Sequence, residues 1–123
     1  MKKILVIDDN PVVRSTLGRI LQGASYEVIS AGDGRQGMAA FRKEQPDLVI
    51  TDIIMPEQEG LETIRQILSE RPDAKIIAIS GGGRMGTTDF LRIARKVGAT
   101  EVLPKPFDPD DLLQLVATCF KAA

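Results

Sequence analysis

The stretch Ile4-Leu5-Val6-Ile7-Asp8-Asp9-Asn10-Pro11 decides how this chain is read. Four apolar residues, three of them β-branched, stand together without alternation. That pattern suits a strand covered on both faces. Two carboxylates end the run. Asn10 is then a natural helix N-cap and Pro11 a natural first helical residue. Val13, Leu17, Ile20 and Leu21 continue at i, i+4, i+7 and i+8, the stripe of an amphipathic helix, with Gly23 near its stop.

The same strand-then-helix unit recurs along the chain. Further apolar runs are Tyr26 to Ile29, Leu48 to Ile50, Ile76 to Ile79, and Val102-Leu103. Helical spacing follows each. Met38 and Phe41 anchor the second helix, and Leu61, Ile64 and Leu68 the third. Phe90, Ile93, Ala94 and Val97 mark the fourth, with Gly98 as its stop. Asp108, Asp110 and Asp111 surround the start of the fifth, where carboxylates complement the helix dipole. Its buried stripe is Leu112, Leu115, Val116 and Cys119, with Cys119 read as a small core residue. Five such units predict an α/β, flavodoxin-like (βα)5 three-layer sandwich. Its parallel five-stranded sheet has the order 2-1-3-4-5, because right-handed crossovers put helices on both faces. One domain over residues 1–123 is expected, without repeat, linker or appended domain.

Composition narrows the chemistry. The 123 residues carry 16 basic and 17 acidic side chains, no His and one Cys. His-based nucleophiles, bases and metal ligands are therefore excluded, as are an intrachain disulfide and a multi-Cys zinc site. Balanced charge argues against direct nucleic-acid binding. Apolar runs are too short for membrane insertion, and no secretory signal follows Met1, so a cytoplasmic location is expected.

In an open parallel sheet, ligands bind beyond the carboxyl ends of the strands, near the reversal of strand order. The first strand ends in Asp8-Asp9, the third in Thr51-Asp52 and the fourth in Ser80, while Lys105-Pro106 follows the fifth. Strands 1 and 3 flank the reversal, so Asp8, Asp9 and Asp52 should converge. Acidic residues often end strands merely as turn formers. Three carboxylates, a hydroxyl and an ammonium at one edge suit something more specific: Mg²⁺ and a phosphoryl group. An Asp carboxylate can act as nucleophile and form an aspartyl phosphate.

Asp8-Asp9, Asp52 with Met55-Pro56 and Gly60, Ser80-Gly81, and Lys105-Pro106-Phe107 together resemble the receiver domain of bacterial two-component response regulators. The likeness spans essentially the whole chain and suggests a stand-alone, chemotaxis-regulator-like member. It implies Asp52 as phosphoacceptor and Mg²⁺ (or Mn²⁺) as cofactor. Asp9 would be a direct ligand, with Asp8 assisting partly through water, and Asp52 and the backbone carbonyl of Ile54 would complete the metal set. Ser80 would hold the phosphoryl group and Lys105 would pair with the acidic site. A cis Lys105-Pro106 bond is also implied. The domain would assist its own phosphorylation and slow autodephosphorylation, rather than act as a conventional enzyme.

Implied partners are a histidine kinase or histidine phosphotransfer protein and a downstream protein bound through the helix 4, strand 5 and helix 5 face. Switching would involve Ser80, Lys105, Pro106 and the strand 5 position of Val102, where many receivers carry Tyr or Phe. With no ring at Val102, the Gly81 to Gly86 loop is the expected relay. Alternatives are a receiver-like interaction module independent of phosphate and, more remotely, a small nucleotide-binding enzyme. The latter rests on Gly32-Asp33-Gly34-Arg35-Gln36-Gly37, which matches G-x-G-x-x-G but follows an edge strand. Gly81 to Thr88 approaches a P-loop, but Thr87 stands where Lys is needed.

Overall fold

The computed structural model describes residues 1–53, 59–80 and 87–121, with the backbone alone for residues 59, 80 and 87–91. Five strands alternate with five helices. They run β1 (Lys3–Ile7), α1 (Pro11–Gly23), β2 (Glu27–Ala31), α2 (Gly34–Glu44), β3 (Leu48–Asp52), α3 (Glu59–Glu70), β4 (Ile76–Ser80), α4 (Thr87–Val97), β5 (Glu101–Pro104) and α5 (Pro109–Lys121). The strands form one parallel sheet in the order β2-β1-β3-β4-β5. Fold class and strand order are those read from the apolar runs.

The sheet divides the core by strand alternation. Leu5, Ile7, Val49, Ile76 and Ala78 join Met38, Phe41, Ile64, Ile67 and Ala94 on the face covered by α2, α3 and α4. Ile4, Val6, Leu48, Ile50, Ile77 and Ile79 join Leu17, Leu21, Leu112, Val116 and Cys119 on the face of α1 and α5. Central strands have side chains buried both ways, so no residue of β1, β3 or β4 is free to be polar until the strand ends. Truncating one of these buried Ile or Leu side chains to Ala would cost about 2–5 kcal/mol.

Local chemistry closes the helices as expected. The Asn10 side chain accepts from the N–H groups of Val12 and Val13, with Pro11 opening α1. Asp33 accepts from the Gln36 N–H at the start of α2. Gly98 adopts φ 118° and ends α4. Its N–H donates to the Ala94 and Arg95 carbonyls, both at 3.1 Å. A Cβ there would lie 2.6 Å from Leu68 Cδ1, so the glycine serves both backbone and packing. The Asp108 N–H donates to Asp111 Oδ2 at 3.3 Å, which gives that acidic run a capping role.

Three details differ from the sequence reading. β2 begins at Glu27, because Ser25 takes φ 71° and the Tyr26 N–H turns back to the Leu21 carbonyl. β2 is also largely exposed or half-exposed, as an edge strand with a strand neighbour on one side only. In α3, Ile67 is fully buried while Leu68 is only partly so.

Candidate functional site

Strand register builds the site. In the β1–β3 ladder Ile7 lies level with Thr51, so Asp8 and Asp52 follow as neighbours on adjacent strands, which run about 4.8 Å apart. The Asp8 N–H donates to the Ala31 carbonyl at 3.1 Å, holding the chain against β2 one residue past the strand. Asp8 Oδ1 accepts the Asn10 N–H at 2.9 Å. The local turn thus occupies one carboxylate oxygen of Asp8. The other, Oδ2, is buried and accepts no hydrogen bond among the described residues. Asp8 is 1% exposed and Asp52 5%, whereas Asp9 is exposed. One carboxylate oxygen from each of Asp8, Asp9 and Asp52 lies within 4.8 Å of the other two.

Lys105 reaches this cluster from the far side of β4. Pro104 lies level with Ser80, so Lys105 emerges at the same edge, two strand spacings from Asp52. Its Nζ donates to Asp52 Oδ2 at 3.1 Å and stands 3.8 Å from Asp8 Oδ2. The first contact is a hydrogen-bonded ion pair; the second is attraction at longer range. The Lys105-Pro106 bond is cis.

Among the described residues, three carboxylates face the Lys105 ammonium and the Arg14 guanidinium, which leaves an excess of negative charge. Burial, foremost, pushes the Asp8 carboxyl above its usual range, and Asp52 and Asp9 add to this; the Asn10 N–H and Lys105 oppose it. A buried carboxylate oxygen without a hydrogen bond, beside two further carboxylates, is an arrangement a hard divalent cation satisfies. The donor set is all oxygen, and it fits Mg²⁺ or Mn²⁺ in kind.

Asp8, Asp9, Asp52 and Lys105 are therefore brought together, and Pro106 adjoins them. Val102 is half-buried in β5, level with Ala78 and packed against the core face that contains Ala94 and Ala99. Ile54, Met55-Pro56, the Ser80 side chain and the Gly81–Gly86 segment lie outside the described residues. The Gly32–Gly37 motif has structural uses instead: Asp33 caps α2, and a Cβ at Gly37 would come within 2.5 Å of Ile7 Cδ1.

Two neighbours of the site were not assigned a physical role from the sequence. Gly60, at the start of α3, lies against the end of β3. A Cβ there would clash with the Asp52 carbonyl and approach Ile53 Cα to 2.6 Å. Arg14 reaches back from α1 to the Asp8 carbonyl at 2.7 Å. Its sequence signal was a lone cation one turn into the helix that follows the acidic pair.

A parallel 2-1-3-4-5 sheet with acidic residues and a lysine at its carboxyl edge is the architecture of a signalling receiver. The response regulator receiver domain family matches residues 4–117, and the chain belongs to that family. The chain is 34% identical over 122 residues to a chemotaxis protein CheY of Listeria monocytogenes, covering 98% of this chain and 100% of that protein. A CheY of Thermotoga maritima is 36% identical over 114 residues, covering 92% of each. The crystal structure of a response regulator receiver domain protein from Clostridium thermocellum superposes with a TM-score of 0.90 at 31% identity, covering 98% of this chain and 95% of that one. The chain is thus a CheY-like receiver of the two-component type. No helix among the described residues is long and apolar enough to cross a membrane.

Proposed function

We propose that this receiver accepts a phosphoryl group on Asp52, in a site that takes Mg²⁺ or Mn²⁺ through Asp8, Asp9 and Asp52, with Lys105 as the fixed positive charge. The observation that carries this reading is, among the described residues, three gathered carboxylates, the Lys105 ammonium against two of them, and a buried Asp8 oxygen without a hydrogen bond. Asp52 is the acceptor that membership of the receiver family implies, and it lies beside Lys105, while Asp8 Oδ1 serves the β1–α1 turn.

The chemistry follows from those positions. A carboxylate oxygen of Asp52 forms the new P–O bond as the P–N bond of a donor phosphohistidine breaks, its electron pair leaving with the imidazole nitrogen. Lys105 holds the acceptor carboxylate in place and offsets charge on the phosphoryl oxygens. A bound cation would supply further neutralisation of carboxylate and phosphoryl charge. The Ser80 hydroxyl and the Ile54 carbonyl complete the proposed set by sequence position. The donor is a separate protein, a histidine kinase or phosphotransfer protein, since this chain has no His.

Phosphorylation then biases the face of α4, β5 and α5 toward binding a downstream protein. Val102 has no ring to turn, so the proposed relay passes through Ser80 and the segment after it. An apolar groove of about 530 Å³ between α1 and residues 105–109, lined by Val12, Val13, Ile20, Pro106 and Phe107, adjoins Lys105 and is the proposed donor-docking surface. Val12→Asp should slow transfer from a donor protein while leaving a small phosphodonor unaffected; equal slowing of both would remove the docking role.

The test of the main reading is intact mass after treatment with acetyl phosphate. One added phosphoryl group is expected with Mg²⁺, and none with EDTA or in Asp52→Ala. Undiminished labelling of Asp52→Ala would overturn the assignment.

A further inference from the structure

We infer that Arg14 is a positioning residue for this site, fixing the peptide between Asp8 and Asp9 so that their carboxylates stay gathered with that of Asp52. The inference rests on the proposed phosphoacceptor reading and adds a residue to it. Arg14 lies one turn into α1, and its N–H donates to the Asn10 carbonyl at 3.0 Å. Its side chain turns back toward the strand end, where Nη1 donates to the Asp8 carbonyl at 2.7 Å.

That carbonyl belongs to the peptide unit joining Asp8 to Asp9. Rotation of this unit would swing the chain on both sides and disperse the carboxylates. The β1–β3 pairing ends at Ile7 and Thr51, one residue before this unit. On the other side of the unit, Asp8 is secured by its N–H bond to Ala31 and by the Asn10 turn. The guanidinium supplies the remaining restraint, with the strength of a charge-assisted hydrogen bond.

Gly32 frames the same contact. A Cβ there would lie 3.3 Å from Arg14 Nη1, so the bare glycine leaves the guanidinium its place. The Gly32 N–H is held by Gln36 Oε1 at 3.1 Å, which anchors the β2–α2 turn beside it. Arg14 grips backbone rather than carboxylate. The contact of Arg14 acts on the geometry of the peptide unit that carries the two carboxylates. Removing a group that orients metal ligands typically weakens affinity by about 10–100-fold.

The experiment measures Mn²⁺ affinity from the electron paramagnetic resonance signal of the free ion, well below the melting temperature of each variant. Arg14→Ala should bind about tenfold more weakly or worse than the wild type. Arg14→Lys, which keeps one donor without the planar fork, should recover part of the loss. A purely structural role would lower the melting temperature and leave affinity of the folded variant unchanged, and that result would overturn the inference. Should Arg14→Ala not fold, Arg14→Met retains an apolar stem without the donor and is judged by the same criterion. Wild-type protein that holds no Mn²⁺ would instead sink the phosphoacceptor reading itself.

Discussion

The two edges of the sheet handle charge in opposite ways. At the amino edge, cations are matched to acceptors. The Lys3 N–H donates to Asp47 Oδ2 at 2.8 Å, and Lys3 Nζ stands 3.5 Å from Glu44 and 3.7 Å from Glu27. Arg71 donates to the Pro46 carbonyl at 2.6 Å while its guanidinium sits 4.9 Å from the Phe41 ring centroid. Lys75 donates to the Cys119 carbonyl at 2.6 Å, near the negative end of α5. At the carboxyl edge, Lys105 and the Arg14 guanidinium, bound to the Asp8 carbonyl, face three carboxylates, and a buried Asp8 oxygen has no hydrogen bond among the described residues. The first edge is built for stability. The second gathers like charges around a buried Asp8 oxygen, an arrangement a divalent cation could satisfy.

Variants can break or sharpen this contrast. The largest effect is expected from Gly60→Ala, whose methyl would meet the end of β3 itself. Destabilisation near 3 kcal/mol, the upper part of the overpacking range, should appear in urea unfolding. Cation affinity of the remaining folded protein should fall too, because Asp52 must shift. Next is Arg71→Ala, which leaves the Pro46 carbonyl without its charged donor; a loss of about 2 kcal/mol is expected without change in cation affinity.

Asp8→Asn acts the other way. In metal-free buffer at neutral pH it should stabilise the fold by about 1 kcal/mol, because it removes a buried charge that burial disfavours. It should weaken Mg²⁺ binding at the same time. Destabilisation in metal-free buffer would mean that Asp8 is better satisfied than its unbonded oxygen implies.

The smallest effect concerns Arg42 and Glu70, an exposed pair that ties α2 to α3 at 2.6 Å. The hydrogen bond from Arg42 holds the Glu70 carboxyl below its ordinary 4.5. Its contribution should therefore be present above pH 4.5 and vanish as the pH falls through the lowered value. The stability gap between wild type and Glu70→Gln should close over that acidic interval. A gap that widens there would reverse the sign argued here.

Much of this was legible before any coordinates. Asn10 and Pro11 announced α1, Gly98 ended α4, and the ends of the apolar runs named Asp8, Asp9 and Asp52. Strand limits were less legible where a turn intervened, as at Ser25. The side chain of Ile67 escaped notice because the third helical stripe admits either 64 and 67 or 64 and 68 as core positions.

Periodicity, caps and the order of apolar runs are local properties, written within a few residues and enforced by backbone geometry; these alone specify a parallel (βα)5 chain with acidic strand ends. Folding in three dimensions decided the rest. It buried Asp8 and exposed Asp9, although the two are adjacent and chemically identical. It brought Lys105 to Asp52 across 53 residues of chain, closer than to Asp8. It also set Gly60 against β3 and Arg14 against the Asp8 carbonyl. Such pairings depend on register and interlayer packing, which no short segment contains, because they are fixed only when distant segments compete for the same space.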